Sequence, residues 1–216
     1  MKQALSIVVV LVLAAGLASC EARPGARLEL AVASEDTSVI NRVQAVIYNR
    51  LREASGGYIA DVRTSYFPDT KKLVYEIAAG APGKDALRYL YETRGEYRVF
   101  ITDENGEATD WITNEDVVDA DAGKARRGPT GFVGLAPLSA RRVAEVSGDY
   151  IGTTIQTSLD GELIYKTTLT WPIQRFYQFE VGSLEEAEML AVVLKFGALP
   201  TDVSAWSGDL EVVEKD

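Results

Sequence analysis

Residues 179–200 read FEVGSLEEAEMLAVVLKFGALP and contain a complete strand-to-helix transition. The segment 175–181, which leads into this stretch, has the aromatic and β-branched residues of a strand. Ser183 and Glu186 have the S-x-x-E spacing of a capping box, which predicts a helix start. Apolar residues then recur at helical spacing until the glycine and proline of GALP end the helix. The stretch therefore predicts a strand followed directly by a long helix with an apolar stripe.

Upstream of this stretch, the second half of the chain alternates between strand and helix patterns. The predicted elements are a capped helix at 113–124, a loop at 123–131, a strand at 132–136 and a helix at 139–148. Asp160-Gly161 separates two further strand patterns, at 152–159 and 162–170, and is a strong hairpin signal. With a short strand near 210–213, these elements form a predicted smaller α+β head subdomain over residues 104–216.

The first half has a different order: strand, helix, strand, strand, helix, strand. The predicted strands are 27–33, 58–66, 72–78 and 96–102, and the predicted helices are 38–54 and 84–93. In the first helix, Arg50 lies off the apolar stripe. This order is the ferredoxin-like βαββαβ arrangement, a four-stranded sheet with both helices on one face. We therefore predict an α+β chain with a base subdomain over 27–103, ended by a polar turn.

The first twenty residues have the features of an export signal. Lys2 precedes an apolar run at 4–17, and Leu17-Ala18-Ser19 precedes Cys20. The run is shorter than the roughly 20 residues that span a bilayer. The tetrad resembles the bacterial lipobox, which implies a signal peptide over 1–19 and acyl chains, palmitate among them, on Cys20. Two alternatives stay open: an ordinary signal peptide with an incidental cysteine, and an uncleaved anchor.

A lipid on Cys20 sets where the body of the protein works. Residues 20–26 are expected to form a tether that holds the body on the periplasmic face of a bacterial membrane, since two or three acyl chains anchor stably. Glu21, rather than an aspartate, follows the cysteine. By resemblance to enterobacterial sorting rules, this residue favours the outer membrane.

The composition argues against several classes of function. The formal charge is −10, and such an acidic surface repels phosphate backbones, so we predict no nucleic-acid partner. The chain has no histidine and a single cysteine, which removes the commonest ligands of zinc and copper and the commonest general base. We therefore expect neither a metal nor a cofactor.

The remaining patterns that suggest chemistry have simpler explanations. Asp119 and Asp121 lack the other ligands of a calcium loop, and Glu185 and Glu186 belong to the capped helix start. Residues 123–131, GKARRGPTG, place the lysine before the second glycine rather than after it, unlike a Walker motif. We interpret this segment as a solvated loop. The chain is thus predicted not to be an enzyme, with a carboxylate-based hydrolase as an alternative.

Residues 171–179, WPIQRFYQF, are the candidate partner-binding surface. Aromatic and arginine side chains are over-represented at protein interfaces, which singles out Trp171, Arg175, Phe176 and Tyr177. An exposed strand here can also accept an extended polypeptide by backbone pairing. The alternative is that the apolar members fill the core, with Trp171 as the exposed one.

Four motifs together, in their order, resemble the first periplasmic domain of SecD, a protein-export accessory subunit. Residues 179–200 are similar to its G-x-(S/T)-x-E-E-A helix start and GALP stop. The other three are WITNEDV at 111–117, similar to L-T-x-x-D-(L/V), LDGEL at 159–163, similar to L-D-G-x-(V/L), and VINRV at 39–43, similar to I-x-x-R-V. The family hairpin usually runs on into Ala-Pro, whereas Tyr165-Lys166 follows here.

This resemblance implies a body that holds emerging polypeptide, and hence binding rather than catalysis. We expect a free-standing, membrane-tethered, non-enzymatic binding module of the cell envelope that assists exported polypeptides. Its expected partners are the membrane, through the lipid on Cys20, and unfolded exported polypeptide or a secretion or envelope complex. The alternative is a structural or assembly lipoprotein with a dedicated envelope partner unrelated to secretion.

Overall fold

A computed structural model describes residues 25–32, 34–57, 61–78 and 81–200. The predicted signal peptide, Cys20, most of the tether and the strand near 210–213 lie outside the described residues. The strands are β1 (Ala26–Ala31), β2 (Val62–Phe67), β3 (Lys72–Ile77), β4 (Tyr97–Thr102), β5 (Ala108–Thr113), β6 (Val117–Ala125), β7 (Gly128–Leu135), β8 (Thr154–Leu159), β9 (Glu162–Thr168) and β10 (Phe176–Glu180). The helices are α1 (Thr37–Ala54), α2 (Lys84–Glu92), α3 (Pro137–Gly148) and α4 (Leu184–Phe196), with a 3₁₀ turn at Asn114–Asp116. None of the described helices is long and apolar enough to cross a membrane.

The first half has the predicted βαββαβ order of elements, but its sheet has three strands rather than four. The strand order is β1-β3-β2, with both pairs antiparallel. The strand β4 instead joins a second sheet of order β5-β4-β8-β9. The prediction of a four-stranded base sheet is therefore wrong, although the α+β class is confirmed.

The strand β4 is not part of the first sheet because both of its edges pair with strands of the second sheet. It forms a hairpin with β5 through the turn at 103–107 and pairs with β8 along its other edge. Tyr97, Val99 and Ile101 of β4 point into the core of the second half. The first core is completed by α4, through Val192 and Val193. The division predicted at 103–104 falls inside the β4–β5 hairpin.

The predicted helix at 113–124 is wrong. The capping box at Thr113 and Asp116 forms, but the helix lasts for only the 3₁₀ turn at Asn114–Asp116. Residues 117–125 then form β6, which pairs along its length with β7 in a third sheet of order β10-β7-β6. The predicted loop at 123–131 is likewise the end of a hairpin, with a two-residue turn at Arg126-Arg127. The β-branched start of β6 and its pairing with β7 outweigh the local helix signal.

Asp116 joins this turn to α3. Its buried carboxylate accepts a hydrogen bond from the Arg142 guanidinium, at 2.8 Å, and from the Thr113 backbone N–H, at 2.9 Å. Burial alone would raise the pKa of Asp116, but hydrogen bonds from Ser139, Thr113 and Arg142 outweigh it and lower the pKa. The carboxylate therefore remains charged in the folded protein.

The hairpin at Asp160-Gly161 is confirmed, and its turn also contacts the chain that enters β4. Both residues have positive φ, 52° and 85°, which suits an Asp-Gly turn. The Asp160 carboxylate accepts hydrogen bonds from three successive backbone N–H groups, those of residues 94–96, at 2.7 to 2.8 Å. The turn thereby fixes the β8–β9 hairpin against the link between the two halves.

The two halves share α4 and a buried arginine. The Ser183 side chain caps α4 by accepting from the Glu186 N–H, whereas the Glu186 carboxylate accepts from the Gly182 N–H, so the capping box is only half formed. The helix α4 contributes side chains to both hydrophobic cores. Arg50 is fully buried rather than off the packed face. Its guanidinium donates to the carbonyls of Leu90, Thr93, Arg94 and Gly197, at 2.6 to 3.2 Å. Arg50 therefore satisfies the C-terminal carbonyls of α2 and of α4, which a surface position could not do.

Candidate binding groove

Most of the residues at 171–177 line a groove between the second and third sheets. The groove has a volume of about 540 Å³. One wall is the end of β9, the other is β10, and the connection at 169–175 closes one end. The turn between β6 and β7 lies at the other end, where the Val181 N–H donates to the Pro129 carbonyl. The groove is thus the space left between two strands that follow each other in the chain without pairing.

Three of the four predicted residues, Trp171, Phe176 and Tyr177, line the groove, and Arg175 does not. Trp171 is 79% exposed, as predicted, and Phe176 is 64% exposed, so the alternative in which Phe176 fills the core is wrong. Both side chains line the groove. Arg175 is exposed and its guanidinium lies 5.6 Å from the centre of the Phe176 ring. Tyr177 is only 5% exposed and lies beneath the surface. Trp171 and Phe176 therefore form an apolar rim, supported by Tyr177.

The floor of the groove is a packed aromatic cluster. The Phe179 ring lies 6.1 Å from Tyr97, 6.1 Å from Tyr177 and 6.5 Å from Tyr165, measured between ring centres. The Phe179 ring lies against Gly131 of β7. A Cβ atom at position 131 would come within 2.6 Å of the ring. Only glycine permits this approach. The contact of the Phe179 ring with Gly131 packs β10 against β7 beside the groove.

Hydrogen bonds fix the tyrosine and the connection at the closed end. The Tyr177 hydroxyl lies 2.7 Å from the Thr157 Oγ1, which links β10 to β8. The buried Ser147 hydroxyl of α3 accepts from the Ile173 N–H, at 2.9 Å. Burial raises the pKa of Tyr177 well above its ordinary value. The Tyr177 hydroxyl therefore stays neutral and acts as a structural group rather than as an acid or base.

One edge of β10 is open to the groove. The register and the Leu135 N–H to Arg175 carbonyl bond direct the backbone groups of Tyr177 and Phe179 toward β7. By the same alternation, the N–H and C=O groups of Phe176, Gln178 and Glu180 point away from β7. Among the described residues, β10 pairs with β7 alone. The groove therefore presents unpaired backbone groups next to exposed aromatic side chains.

The acidic pairs that suggested chemistry are elsewhere. Asp119 and Asp121 of β6 line a separate depression beside α4, near Glu53, Glu188 and Lys195. The Glu186 carboxylate accepts from the Gly182 N–H, as a capping residue does. Within the described ranges, no group of three or more acidic, histidine or cysteine side chains is placed to hold a metal ion.

Sequence reasoning missed Arg126 and Arg127, which line the groove. They were interpreted as part of a solvated loop, whereas they form the turn of the β6–β7 hairpin. The alternation of aspartate and alanine at 119–122, before the ARRG segment, was the available signal. Ile155 and Tyr165, which complete the floor, carry no local signal, because only the pairing of β8 with β9 places them there.

No known family model matches the chain, and no curated protein matches it in sequence. Two of the solved structures that match it in fold are structures of SecDF. One is a structure of SecDF, a membrane component that enhances protein export, with 19% identity and a TM-score of 0.63; the match covers 88% of this chain and all of that chain. The other is the crystal structure of SecDF in a super-membrane-facing form, with 19% identity and a TM-score of 0.66. This second match covers 85% of this chain but only 30% of that chain.

At this level of identity the likeness concerns the fold alone. It nevertheless extends over most of this chain. It agrees with the order of the four motifs from which the resemblance was predicted. The chain therefore has the SecD-like α+β fold that its sequence motifs indicate.

Proposed function

We propose that this protein is a lipid-anchored, non-enzymatic binding module on the periplasmic face of a bacterial membrane, where it holds extended segments of exported polypeptide. The fold match to SecDF, which enhances protein export, supports a role in export. The lipobox-like end of the N-terminal segment supports the anchor. The groove beside β10 is the proposed binding site.

The observation that carries this proposal is that an open strand edge lies next to exposed aromatic side chains. An extended polypeptide can hydrogen-bond to the N–H and C=O groups of Phe176, Gln178 and Glu180, whatever its sequence. Trp171 and Phe176, which are both exposed, can cover its apolar side chains. The few residues that dominate a protein interface contribute about 2 kcal/mol or more each, and tryptophan is enriched among them. Backbone pairing gives tolerance of sequence, and the aromatic rim gives affinity. Both suit a ligand that arrives unfolded.

The chemistry of the groove also favours binding over catalysis. Its lining is mostly aromatic, aliphatic and hydroxyl side chains, without a carboxylate pair. Tyr177 is held by Thr157 and stays neutral. These residues offer surface and hydrogen bonds to a ligand, rather than proton transfer.

Site-specific photocrosslinking in cells tests the binding site. A photoreactive residue at position 171 should capture many different exported polypeptides. Leu138 on α3 is the matched control, because it is also 79% exposed but does not line the groove. Capture of one constant partner from position 171 would support the alternative of a dedicated assembly lipoprotein. Equal capture from positions 171 and 138 would refute the groove as the binding site.

The anchor has its own test. Cells grown with a clickable palmitate analogue should label the wild-type protein, and Cys20→Ser should abolish the label. Retention of the label in Cys20→Ser would contradict lipidation at this residue.

A further inference from the structure

We infer that the groove selects extended segments that carry an acidic residue about four positions from an apolar one. This inference rests on the proposed function, because it concerns the same groove, and it specifies which polypeptides bind best. It depends on the charges and on the layout of the groove.

The groove is locally basic on an acidic protein. The chain has a formal charge of −10, yet the charged side chains that line the groove are Arg126, Arg127 and Glu180, with a sum of +1. Arg175, which lies beside Phe176 but does not line the groove, is a further cation nearby. An acidic segment that approaches the protein is repelled by most of its surface and attracted at this position.

The two arginines of the turn are available to a ligand. Arg126 is exposed and makes no hydrogen bond or ion pair with any described residue. Arg127 is 77% exposed, and its nearest carboxylate, that of Glu180, lies 3.8 Å away, beyond hydrogen-bond distance. By contrast, Arg98 is held at 2.6 Å by Asp110. A guanidinium with unused donors is suited to bind a carboxylate in a bidentate manner.

The apolar and basic parts lie at opposite ends of β10. Phe176 begins the strand, next to the closed end with Trp171, and Glu180 ends it, next to Arg127. Four residues of strand span about 13 Å. A polypeptide that pairs with β10 and covers Phe176 therefore reaches the arginines about four residues along. Side chains alternate between the two faces of a strand, so the ligand residue that covers Phe176 and the one four positions along lie on the same face.

Fluorescence anisotropy with labelled peptides tests this selectivity on the mature protein purified in detergent. Three extended peptides share a central Leu-Phe-Val and differ four positions to each side of the Phe, where they carry Glu, Gln or Lys. We expect the Glu peptide to bind on the order of fivefold more tightly than the Gln peptide, and the Lys peptide more weakly than both. The difference should shrink in 1 M salt, because exposed charges are screened.

Charge reversal at the turn locates the selectivity. The double variant R126E/R127E should reverse the order of the Glu and Lys peptides. The control R42E/R141E has the same change in net charge at exposed positions that do not line the groove, and should keep the wild-type order. Thermal unfolding followed by circular dichroism checks that both variants fold.

The possible failures are distinguishable. Equal affinities for the three peptides would overturn the charge selectivity and leave the groove as a peptide site. An unchanged order in R126E/R127E would also overturn it. If none of the three peptides binds, both the selectivity and the proposed function fail.

Discussion

Replacing Arg50 by methionine should destabilise the whole protein, because Arg50 serves both halves. The guanidinium donates four hydrogen bonds to carbonyl oxygens at the ends of α2 and α4. Hydrogen bonds from a charged donor contribute about 1.5 kcal/mol or more each, so the four contribute about 6 kcal/mol. Burial opposes this, since it lowers the pKa of Arg50 to about 10, and holding the charge there costs about 3 kcal/mol. The expected net loss of unfolding free energy in Arg50→Met is about 3 kcal/mol.

Urea unfolding followed by tryptophan fluorescence, to which the buried Trp111 contributes, measures this loss. Arg42→Met is the matched control, because Arg42 lies on the same helix but is exposed, and it should change the unfolding free energy by less than about 0.5 kcal/mol. Arg50→Lys keeps the charge with fewer donors and should fall between the two. An Arg50→Met variant as stable as the control would refute the account of how the halves are joined.

Three further predictions concern the groove, the hairpin and acid stability. Phe176→Ser should weaken peptide binding about tenfold or more in the anisotropy assay, whereas Leu138→Ser should leave it unchanged. Asp160→Asn keeps the turn but removes the charge that three backbone N–H groups bind, and should lower the unfolding free energy by about 1 kcal/mol in urea. Burial alone would raise the pKa of Asp116, but hydrogen bonds outweigh it and lower the pKa. The contribution of the Asp116 carboxylate to the unfolding free energy is therefore present above about pH 4 and is lost as the pH falls below that value. The stability difference between wild type and Asp116→Asn should therefore shrink between pH 6 and pH 3, and a difference independent of pH would contradict the shift.

Local signals predicted the elements that local interactions determine. The Asp160-Gly161 turn and the capped start of α4 at Ser183 both form where the sequence indicates. The helix predicted from Thr113 shows the limit of such signals. Its capping box is real, but pairing with β7 converts the next residues to β6. A capping motif indicates where a helix can begin but not how far it continues.

Long-range packing decided what the sequence did not reveal. Arg50 looked like a surface residue, because the carbonyls it binds lie 40 to 147 positions further along the chain. Sheet membership of β4 depended in the same way on β8. In the groove, Trp171 is exposed as predicted, whereas Tyr177 is buried and acts through Thr157. Arg126 and Arg127 were missed because they line the groove only where β10, which is distant in sequence, packs beside their turn.

Residue-resolved hydrogen exchange of β10 tests most directly whether a polypeptide adds to its open edge. The amides of Tyr177 and Phe179 bond to β7 and should exchange slowly with or without a ligand. The amides of Phe176, Gln178 and Glu180 should exchange quickly in the free protein. Saturation with the Gln peptide should slow these three by about tenfold or more, because each alternate N–H gains a partner in the added strand. Unchanged exchange at these three amides under saturation would contradict binding by strand addition.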